Sequence, residues 1–323
     1  MDKCYATYAA EQALALLSVD SPTGFTEMAA EWVQQAFSAL GYSAVRTQKG
    51  GVLIDLGGSD DNDALLLQAH TDTLGAMVAE VKGSGRLRVA PLGGMNANNA
   101  EAENVRVYTR AGRVLEGTLQ LCNASIHVNS AADTRALGVE VGDIVCFDPR
   151  SRITETGYIK SRFLDDKLSV GILLGFAKYL SDNQLTPDRK VYAHITVYEE
   201  VGHGGSASVP AGVTEAISVD MGCVGDGLQC SERQVSICAK DSGGPYSYEV
   251  VGRLIEAAKK TGADYAVDVY PYYVSDVEAT LRGGADIRHG LIGAGVFASH
   301  GYERSHIDGV YNTLLVLKGY LEV

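Results

Sequence analysis

Mostly apolar runs that end in charged or imidazole side chains form the most regular pattern along this chain. Residues 64–69 run into His70, and residues 191–198 run into Glu199 and Glu200. A nearly continuous apolar run of this length is typical of a strand covered on both faces. The pattern therefore predicts buried strands whose ends carry groups capable of chemistry.

Segments with helical spacing of apolar residues alternate with these strands, and glycines or a Ser-Pro-Thr-Gly break end several of them. The predicted helices cover residues 3–18, 27–40, 168–180, 246–261, 275–281 and 310–321. Further strands are predicted at residues 51–57, 216–219, 265–270 and 295–299, and a turn at residues 60–63. This alternation indicates an α/β fold in which helices sandwich a mixed, mostly parallel sheet.

Residues 74–160 have a different pattern, with short strand-like pieces separated by glycine and Asn/Asp turns. Examples are residues 114–121, 144–147 and 157–160. We interpret this block as a small all-β domain inserted into the α/β domain. The α/β domain would then comprise residues 1–73 and 161–323.

The ends of parallel strands meet at one edge of a sheet, so residues far apart in sequence are expected to converge there. The candidates are His70, Asp72, Asp165, Asp166, Glu199, Glu200, Asp220 and a histidine near the C-terminus. Imidazoles and carboxylates are ligands for Zn²⁺ or Co²⁺, and a carboxylate between two ions would leave a shared water. Each motif alone also has a structural explanation, such as a helix cap for Asp165-Asp166.

Composition narrows the choice of partners. The net charge is −13 and the pI is about 5.0, which argue against binding to nucleic acid or to an anionic membrane surface.

The sequence contains six cysteines that form no CxxC pair and are predicted to be reduced and mostly buried: Cys4, Cys122, Cys146, Cys223, Cys230 and Cys238. No signal segment or membrane-length apolar run is recognisable, so a cytoplasmic location is expected.

Four ordered motifs carry a resemblance to a known family. LLLQAHTDTLGAMV, FLDDKLSVG, VYEEVGHGGSA and AISVDMG resemble segments of the glutamyl/deblocking aminopeptidases related to the tetrahedral (TET) aminopeptidases. The resemblance implies a zinc-aminopeptidase (phosphorylase/hydrolase-like) fold with an inserted β-barrel that serves assembly or access. It also implies two divalent metal ions per chain, Zn²⁺ or Co²⁺, and a homo-oligomer between a dimer and a dodecamer.

The resemblance also assigns roles to individual residues. His70 would bind one metal, Asp165 would bridge both, and Asp72 would orient His70. Glu199 would be the general base, Glu200 a ligand to one metal and Asp220 a ligand to the other. Asp166 has the weaker claim of its pair.

The chain departs from the family pattern at two places. The family's RYxHS segment is replaced by ASHGYERSHIDGV. We favour His306 as the last ligand because it lies just before the final helix, and we keep His300 as the alternative. Gly204 or Gly205 stands where the family often has an arginine, which leaves the substrate preference open.

The predicted function is metal-dependent hydrolysis of peptide bonds by an exo-acting aminopeptidase, which releases N-terminal residues through a water activated by two metal ions. Short peptides or small amides would be the substrates. The first alternative is an amidohydrolase or deacylase that acts on a small N-blocked amino acid or dipeptide-like compound. The second is a non-catalytic scaffold with the same fold.

Overall fold

The structure is a computed structural model that describes residues 1–120 and 123–323. Leu121, the predicted end of a strand, and Cys122, a predicted thiol, lie outside the described residues. The other five cysteines are unpaired; Cys4 is exposed and Cys223 is half-buried, while the remaining three are buried.

The α-helices confirm the predicted helical segments to within a few residues, except that one helix within the insert was not predicted. In the described residues they are α1 (Cys4–Leu17), α2 (Glu27–Ala39), α3 (Ala131–Ala136), α4 (Leu164–Asp182), α5 (Tyr248–Thr261), α6 (Asp276–Arg282) and α7 (Ile307–Tyr320). Short 3₁₀ turns lie at Ala97–Asn99, Glu199–Val201 and Gly204–Ser206. Helix α5 illustrates the local causes, since the Ser247 side chain accepts from Val250 N–H at its start and Gly262 takes a left-handed conformation at its end.

The first nine strands lead from the N-terminus through the insert. They are β1 (Ser43–Arg46), β2 (Val52–Gly57), β3 (Asp60–His70), β4 (Gly75–Val81), β5 (Leu87–Leu92), β6 (Asn104–Tyr108), β7 (Val114–Gln120), β8 (Asn123–Ser125) and β9 (Ile144–Phe147). The later strands are β10 (Arg152–Ile153), β11 (Tyr158–Ser161), β12 (Arg189–Thr196), β13 (Val213–Val219), β14 (Gly222–Val224), β15 (Val235–Lys240), β16 (Tyr265–Val269), β17 (Arg288–Phe297) and β18 (Glu303–His306).

A large mixed sheet confirms the predicted fold class. Its main path runs β1-β2-β12-β3-β13-β17-β18-β11-β10, and the four strands β12, β3, β13 and β17 in its middle are parallel. Antiparallel pairs flank this block on both sides. The parallel block carries the carboxyl ends of β12, β3 and β13 to one edge of the sheet.

Close helix packing against the sheet depends on small residues. Helices α1 and α4 lie together, and a Cβ on Gly171 would come within 2.4 Å of the Ala9 carbonyl oxygen. The side chains of α4 facing this contact are almost entirely buried. Gly171 therefore permits the close approach of α1 and α4.

The insert contains a closed barrel with the strand order β4-β5-β8-β7-β6-β9. The barrel ends at Phe147, and β11 pairs with β18 in the large sheet, so the strand predicted at residues 157–160 was wrongly assigned to the insert. The turn predicted at residues 60–63 is also wrong, because β3 already begins at Asp60. Its first residues are exposed, and Asp63 pairs with Arg189 across the strand ends, which explains why charged residues are tolerated there.

None of the described helices combines the length and the apolar composition that a membrane crossing requires.

Candidate metal centre

Acidic and imidazole side chains from four segments meet at the carboxyl edge of the parallel strands. His70 ends β3, Asp220 follows β13, and Glu199 follows β12 in a 3₁₀ turn. Asp165 and Asp166 lie in the first turn of α4, and the peptide bond between them is cis. The structure thus brings together residues that lie up to 150 positions apart in the sequence (70 to 220).

His70 lies at the centre of this cluster and is 1% exposed. Its Nε2 is 3.2 Å from Asp165 Oδ1 and 3.7 Å from Glu199 Oε2. Its Nδ1 is 2.9 Å from the Asp72 carbonyl oxygen and 3.5 Å from the Asp72 carboxylate. A proton held on Nδ1 by the Asp72 carbonyl would leave Nε2 free to act as a ligand.

The Asp72 carboxylate serves the neighbouring turn more than the imidazole. Its Oδ1 accepts from Glu199 N–H at 3.1 Å, and its Oδ2 accepts from Glu200 N–H at 3.3 Å. Thr23 Oγ1 donates to the same Oδ2 at 2.7 Å. Asp72 therefore fixes the backbone of the two glutamates and contacts His70 mainly through its main chain.

His70, Asp166 and Asp220 form one group whose ligand atoms all lie within 4.8 Å of one another. Asp166 is fully buried, and its Oδ2 accepts from His70 N–H at 3.2 Å. Its Oδ1 has no hydrogen-bond partner among the described residues. A buried carboxylate oxygen without a partner is costly unless a cation or a water completes it, so Asp166 contributes more to this site than the sequence analysis allowed.

Asp165, Glu200 and His300 form a second group within the same 4.8 Å limit. His300 Nε2 is 3.5 Å from Asp165 Oδ2 and 3.6 Å from Glu200 Oε2. Because the other oxygen of Asp165 faces His70, this carboxylate lies between the two groups, as expected of a bridging ligand.

The preference for His306 as the last ligand is not supported by the geometry, because the structure places His306 away from both groups. Its Nε2 is 2.9 Å from the Thr156 carbonyl oxygen, and its Nδ1 accepts from Asp308 N–H as the N-cap of α7. Both ring nitrogens are thus occupied in capping and turn contacts. His300, the alternative, occupies the position beside Asp165.

Two supporting contacts had no signal in the sequence. The buried Glu303 accepts from Asp165 N–H with one oxygen and from His300 N–H with the other, each at 3.1 Å. Gly94, in the segment that follows β5 of the barrel, offers its carbonyl oxygen to His300 Nδ1 at 3.1 Å. These contacts depend on the short strand β18 and on barrel docking, neither of which local sequence pattern reveals.

The charges of the cluster are not balanced by basic side chains. Among the described residues, none of Asp72, Asp165, Asp166, Glu199, Glu200 and Asp220 forms an ion pair with lysine or arginine. The nearby Lys167 instead donates to the carbonyl oxygens of Leu16 and Val19. Within the described part of the chain, the basic partners of the cluster are therefore imidazoles alone.

The pKa values reflect this imbalance. Burial, followed by repulsion from Asp165, raises the pKa of Asp220 to about 7. Burial also raises the pKa values of Glu199 and Asp166 well above their ordinary range. Burial opposes ionisation of Asp165 as well, but His300 and His70 outweigh it and hold its pKa below the ordinary value. Strongly shifted groups gathered in a cleft are typical of functional sites.

The residues present fit a pair of divalent ions. The donors are carboxylate oxygens and imidazole nitrogens, which suit zinc or cobalt, and Asp166 supplies an oxygen that lacks a protein partner. Divalent cations would also compensate the crowded negative charge.

An open cleft of about 620 Å³ gives access to the cluster, and Asp165, Glu199, Glu200, Asp220 and His300 are among the residues that line it. Another cleft, of about 560 Å³, lies near the beginnings of β3 and β12 and is lined by Asp63, Arg189 and Arg253. The second cleft contains none of the candidate site residues, so the chemistry is assigned to the first.

Comparison with known proteins gives a consistent match. The family model described as "M42 glutamyl aminopeptidase" matches residues 50–131 and 122–315. YhfE of Bacillus subtilis (strain 168), an aminopeptidase by name, is 39% identical over 95% of both chains.

Two solved structures share the fold. An aminopeptidase, APDkam598, from the archaeon Desulfurococcus kamchatkensis superposes with a TM-score of 0.89 at 23% identity, covering 98% of this chain and 95% of that one. The dodecameric PhTET1-12s superposes with a TM-score of 0.85 at 19% identity, covering 97% and 98%.

Proposed function

The chain belongs to the M42 glutamyl aminopeptidase family, and on that premise we propose that its carboxylate–imidazole cluster holds two divalent metal ions for the removal of N-terminal residues from peptides. His70, Asp166 and Asp220 would hold one ion, and Glu200 and His300 the other, with Asp165 between them. Zinc and cobalt both suit this donor set. When bound, such ions polarise the scissile carbonyl group and make a water more acidic.

Glu199 is the proposed general base of this reaction. Its carboxylate is 3.7 Å from His70 Nε2 and faces the cleft, and its backbone is held by Asp72. Its role is to accept a proton from the attacking water and to return it to the leaving amine. Burial raises the pKa of Glu199 above its ordinary range, which favours a group that accepts a proton and later donates it.

One observation carries the proposal: buried carboxylates meet two imidazoles in an open cleft without any lysine or arginine partner among the described residues. A purely structural cluster would be expected to contain its own counter-ions. Here the missing positive charge has to come from outside the chain.

Metal content and turnover of Glu199→Gln test this proposal together. The variant should retain about two metal ions per chain, because Glu199 is not a proposed ligand, but lose activity by about 10³-fold. Glu322→Gln, at a side chain that is 70% exposed, is the matched control and should behave as the wild type. High residual activity in Glu199→Gln would remove the base assignment, and a lack of bound metal in the wild type would remove the metal assignment.

A deacylase acting on N-blocked compounds is the competing activity, because Gly204 or Gly205 stands where the family often has an arginine. Matched substrates with free and acetylated N-termini separate the two. The aminopeptidase assignment expects cleavage of the free form only, and preferential cleavage of the acetylated form would favour the deacylase.

We also propose that the chain forms a homo-oligomer, supported by the dodecamer named for one structure of the same fold. Mass measurement in solution checks this, and a monomer at micromolar concentration would contradict it.

We further propose a cytoplasmic location. The unpaired cysteines of the described residues support a reducing compartment.

A further inference from the structure

The part of the cleft beyond the candidate metal ligands has an apolar wall. Met221 and Cys223 follow Asp220 along the chain, and Tyr273 and Val274 come from the segment before α6. Ser242 completes this wall. A substrate side chain that enters the cleft beside the cluster would therefore contact mainly carbon and sulfur.

Two polar side chains of this wall, Ser242 and Tyr273, already have partners within the protein. Ser242 Oγ donates to the Pro271 carbonyl oxygen at 3.1 Å and accepts from Tyr273 N–H at 3.0 Å. The Tyr273 hydroxyl donates to the Met221 carbonyl oxygen at 3.2 Å. These two hydroxyl groups are thus committed to the protein and not to a polar substrate side chain, while the exposed Tyr272 lies at the rim of the cleft.

No lysine or arginine is among the described residues that line the cleft. Lys240 donates to the Asp241 carbonyl oxygen at 2.8 Å, and Lys49 binds the Gly204 carbonyl oxygen at 3.0 Å. Beyond the proposed metal site, a glutamyl or aspartyl side chain would lose water without gaining a lysine or arginine partner among the described lining residues.

A lysyl side chain would also lack a dedicated partner. The carboxylates that line the described part of the cleft are Asp165, Glu199, Glu200 and Asp220, all of which already have metal or base roles in the proposed function. An ammonium group at the far wall would face Met221, Cys223 and Val274, where its desolvation is not compensated.

We propose that the cleft selects N-terminal residues with uncharged, apolar side chains of about the size of leucine or methionine, and that it discriminates against glutamyl and lysyl residues. This inference rests on the proposed aminopeptidase function. It differs from the acidic preference that the word glutamyl in the family description suggests. Val274 and Cys223 would be the residues that set the preference.

A panel of aminoacyl amides with a fluorogenic leaving group tests the preference on the metal-loaded protein. The kcat/KM for leucyl and methionyl substrates should exceed that for glutamyl by about 100-fold and that for lysyl by about 10-fold, because both charges would lose water at this wall without gaining a partner, while the long lysyl stem can keep its ammonium group in solvent. A glutamyl or lysyl substrate that matches or exceeds leucyl would overturn the inference. Cleavage of any unblocked substrate still supports the proposed function, so the two failures are distinguishable.

Val274→Arg tests the assignment of the wall. Val274 is 38% exposed, so an arginine has room to reach the cleft from its rim and should raise the glutamyl-to-leucyl ratio of kcat/KM by about 10-fold or more. Val45→Arg, on the edge strand β1 at 53% exposure, introduces the same charge far from the cleft and should leave the ratio unchanged. An unchanged ratio in a Val274→Arg variant that keeps its metal content and melting temperature would overturn the assignment.

Binding gives a readout that does not depend on turnover. Calorimetry with metal-loaded Glu199→Gln and the intact peptides Leu-Gly-Gly and Glu-Gly-Gly should give about 10-fold tighter binding of the leucyl peptide. Equal binding, or tighter binding of the glutamyl peptide, would overturn the inference even if the wild type cleaved neither peptide.

Discussion

The two ends of the parallel strands bury acidic groups in opposite ways. At the beginning of β13, Glu215 is fully buried, and its carboxylate pairs with Arg189 at 3.0 Å and also with Arg253. Arg288 is 3.6 Å away, and the Tyr320 hydroxyl donates to the same carboxylate at 2.6 Å. At the other end of the same strands, the carboxylates around Asp165 have imidazoles as their only ion-pair partners among the described residues.

This contrast separates a structural acid from a functional one. Where a buried carboxylate has its own cations and donors, removal of one partner destabilises the fold. Where several carboxylates crowd without lysine or arginine partners among the described residues, the fold bears a repulsion that the proposed metal ions would relieve, which is the usual trade between stability and activity. The burial of the acidic side chains alone would not distinguish the two ends of the strands.

The largest effect is expected from Asp165→Ala, which removes the carboxylate that lies between the two candidate ligand groups. Loss of this proposed shared ligand should lower the metal content and lower activity by more than about 10³-fold. Metal analysis and kinetics check this. Asp63→Ala at the opposite end, where Asp63 is 3.1 Å from Arg189, is the matched control and should keep both metal and turnover. Full metal content in Asp165→Ala would erase the contrast between the ends.

Glu215→Gln should lower stability and leave metal binding and activity unchanged, which is the opposite of the pattern expected for Asp165→Ala. The substitution removes the charge of a fully buried carboxylate that pairs with both Arg189 and Arg253, and it should reduce the free energy of unfolding by about 3 kcal/mol, because removing one side of a buried ion pair is costly. The loss should be equal with and without metal, and activity per folded molecule should be retained. Chemical denaturation of both forms measures it. A destabilisation that appeared only in the metal-loaded form would connect Glu215 to the site.

His194 on β12 extends the comparison to a buried base. Its Nδ1 has no hydrogen-bond partner in the described structure, and burial, with a smaller effect of Lys49, lowers its pKa to about 4. In the unfolded chain His194 binds a proton below about pH 6.5, whereas in the folded chain it binds one only below about pH 4. The free energy of unfolding should therefore fall by about 3 kcal/mol as the pH is lowered over that interval. Unfolding curves of wild type and His194→Gln at several pH values check this. Parallel curves for both proteins would exclude His194 as the cause.

The smallest effect is expected from Asp166→Asn in the metal-free protein. Neutralising a buried carboxylate that other acids repel should stabilise the metal-free fold by about 1 kcal/mol, while weakening metal binding by about 10-fold or more. Melting temperatures with and without metal measure both signs. Asp63→Asn is the control and should not stabilise. Destabilisation of metal-free Asp166→Asn would mean that this acid has a structural role.

Much of the fold and site could be predicted because local pattern and sheet topology agree. The apolar run before His70 indicated a buried strand, and parallel pairing then required its end to approach the ends of β12 and β13. The position of Asp165 followed from its place at the start of α4.

The remaining assignments depended on contacts that local pattern does not encode. His300 and His306 both follow strand-like residues, and only the reversal of the chain into β18 decides which one reaches Asp165. The Glu215 network was not predicted either, because Arg189, Arg253 and Arg288 are distant in sequence and meet only after the strands and α5 pack.

The contact between Gly94 and His300 couples docking of the barrel to metal binding at the candidate metal centre. The Gly94 carbonyl oxygen accepts from His300 Nδ1, and this selects the tautomer whose Nε2 is free beside Glu200. The two equilibria are linked. If barrel docking raises the metal affinity of this imidazole, metal binding must strengthen barrel docking by the same factor. Metal occupancy would then be detectable away from the site as slower amide hydrogen exchange in the segment around Gly94, which follows β5 of the barrel.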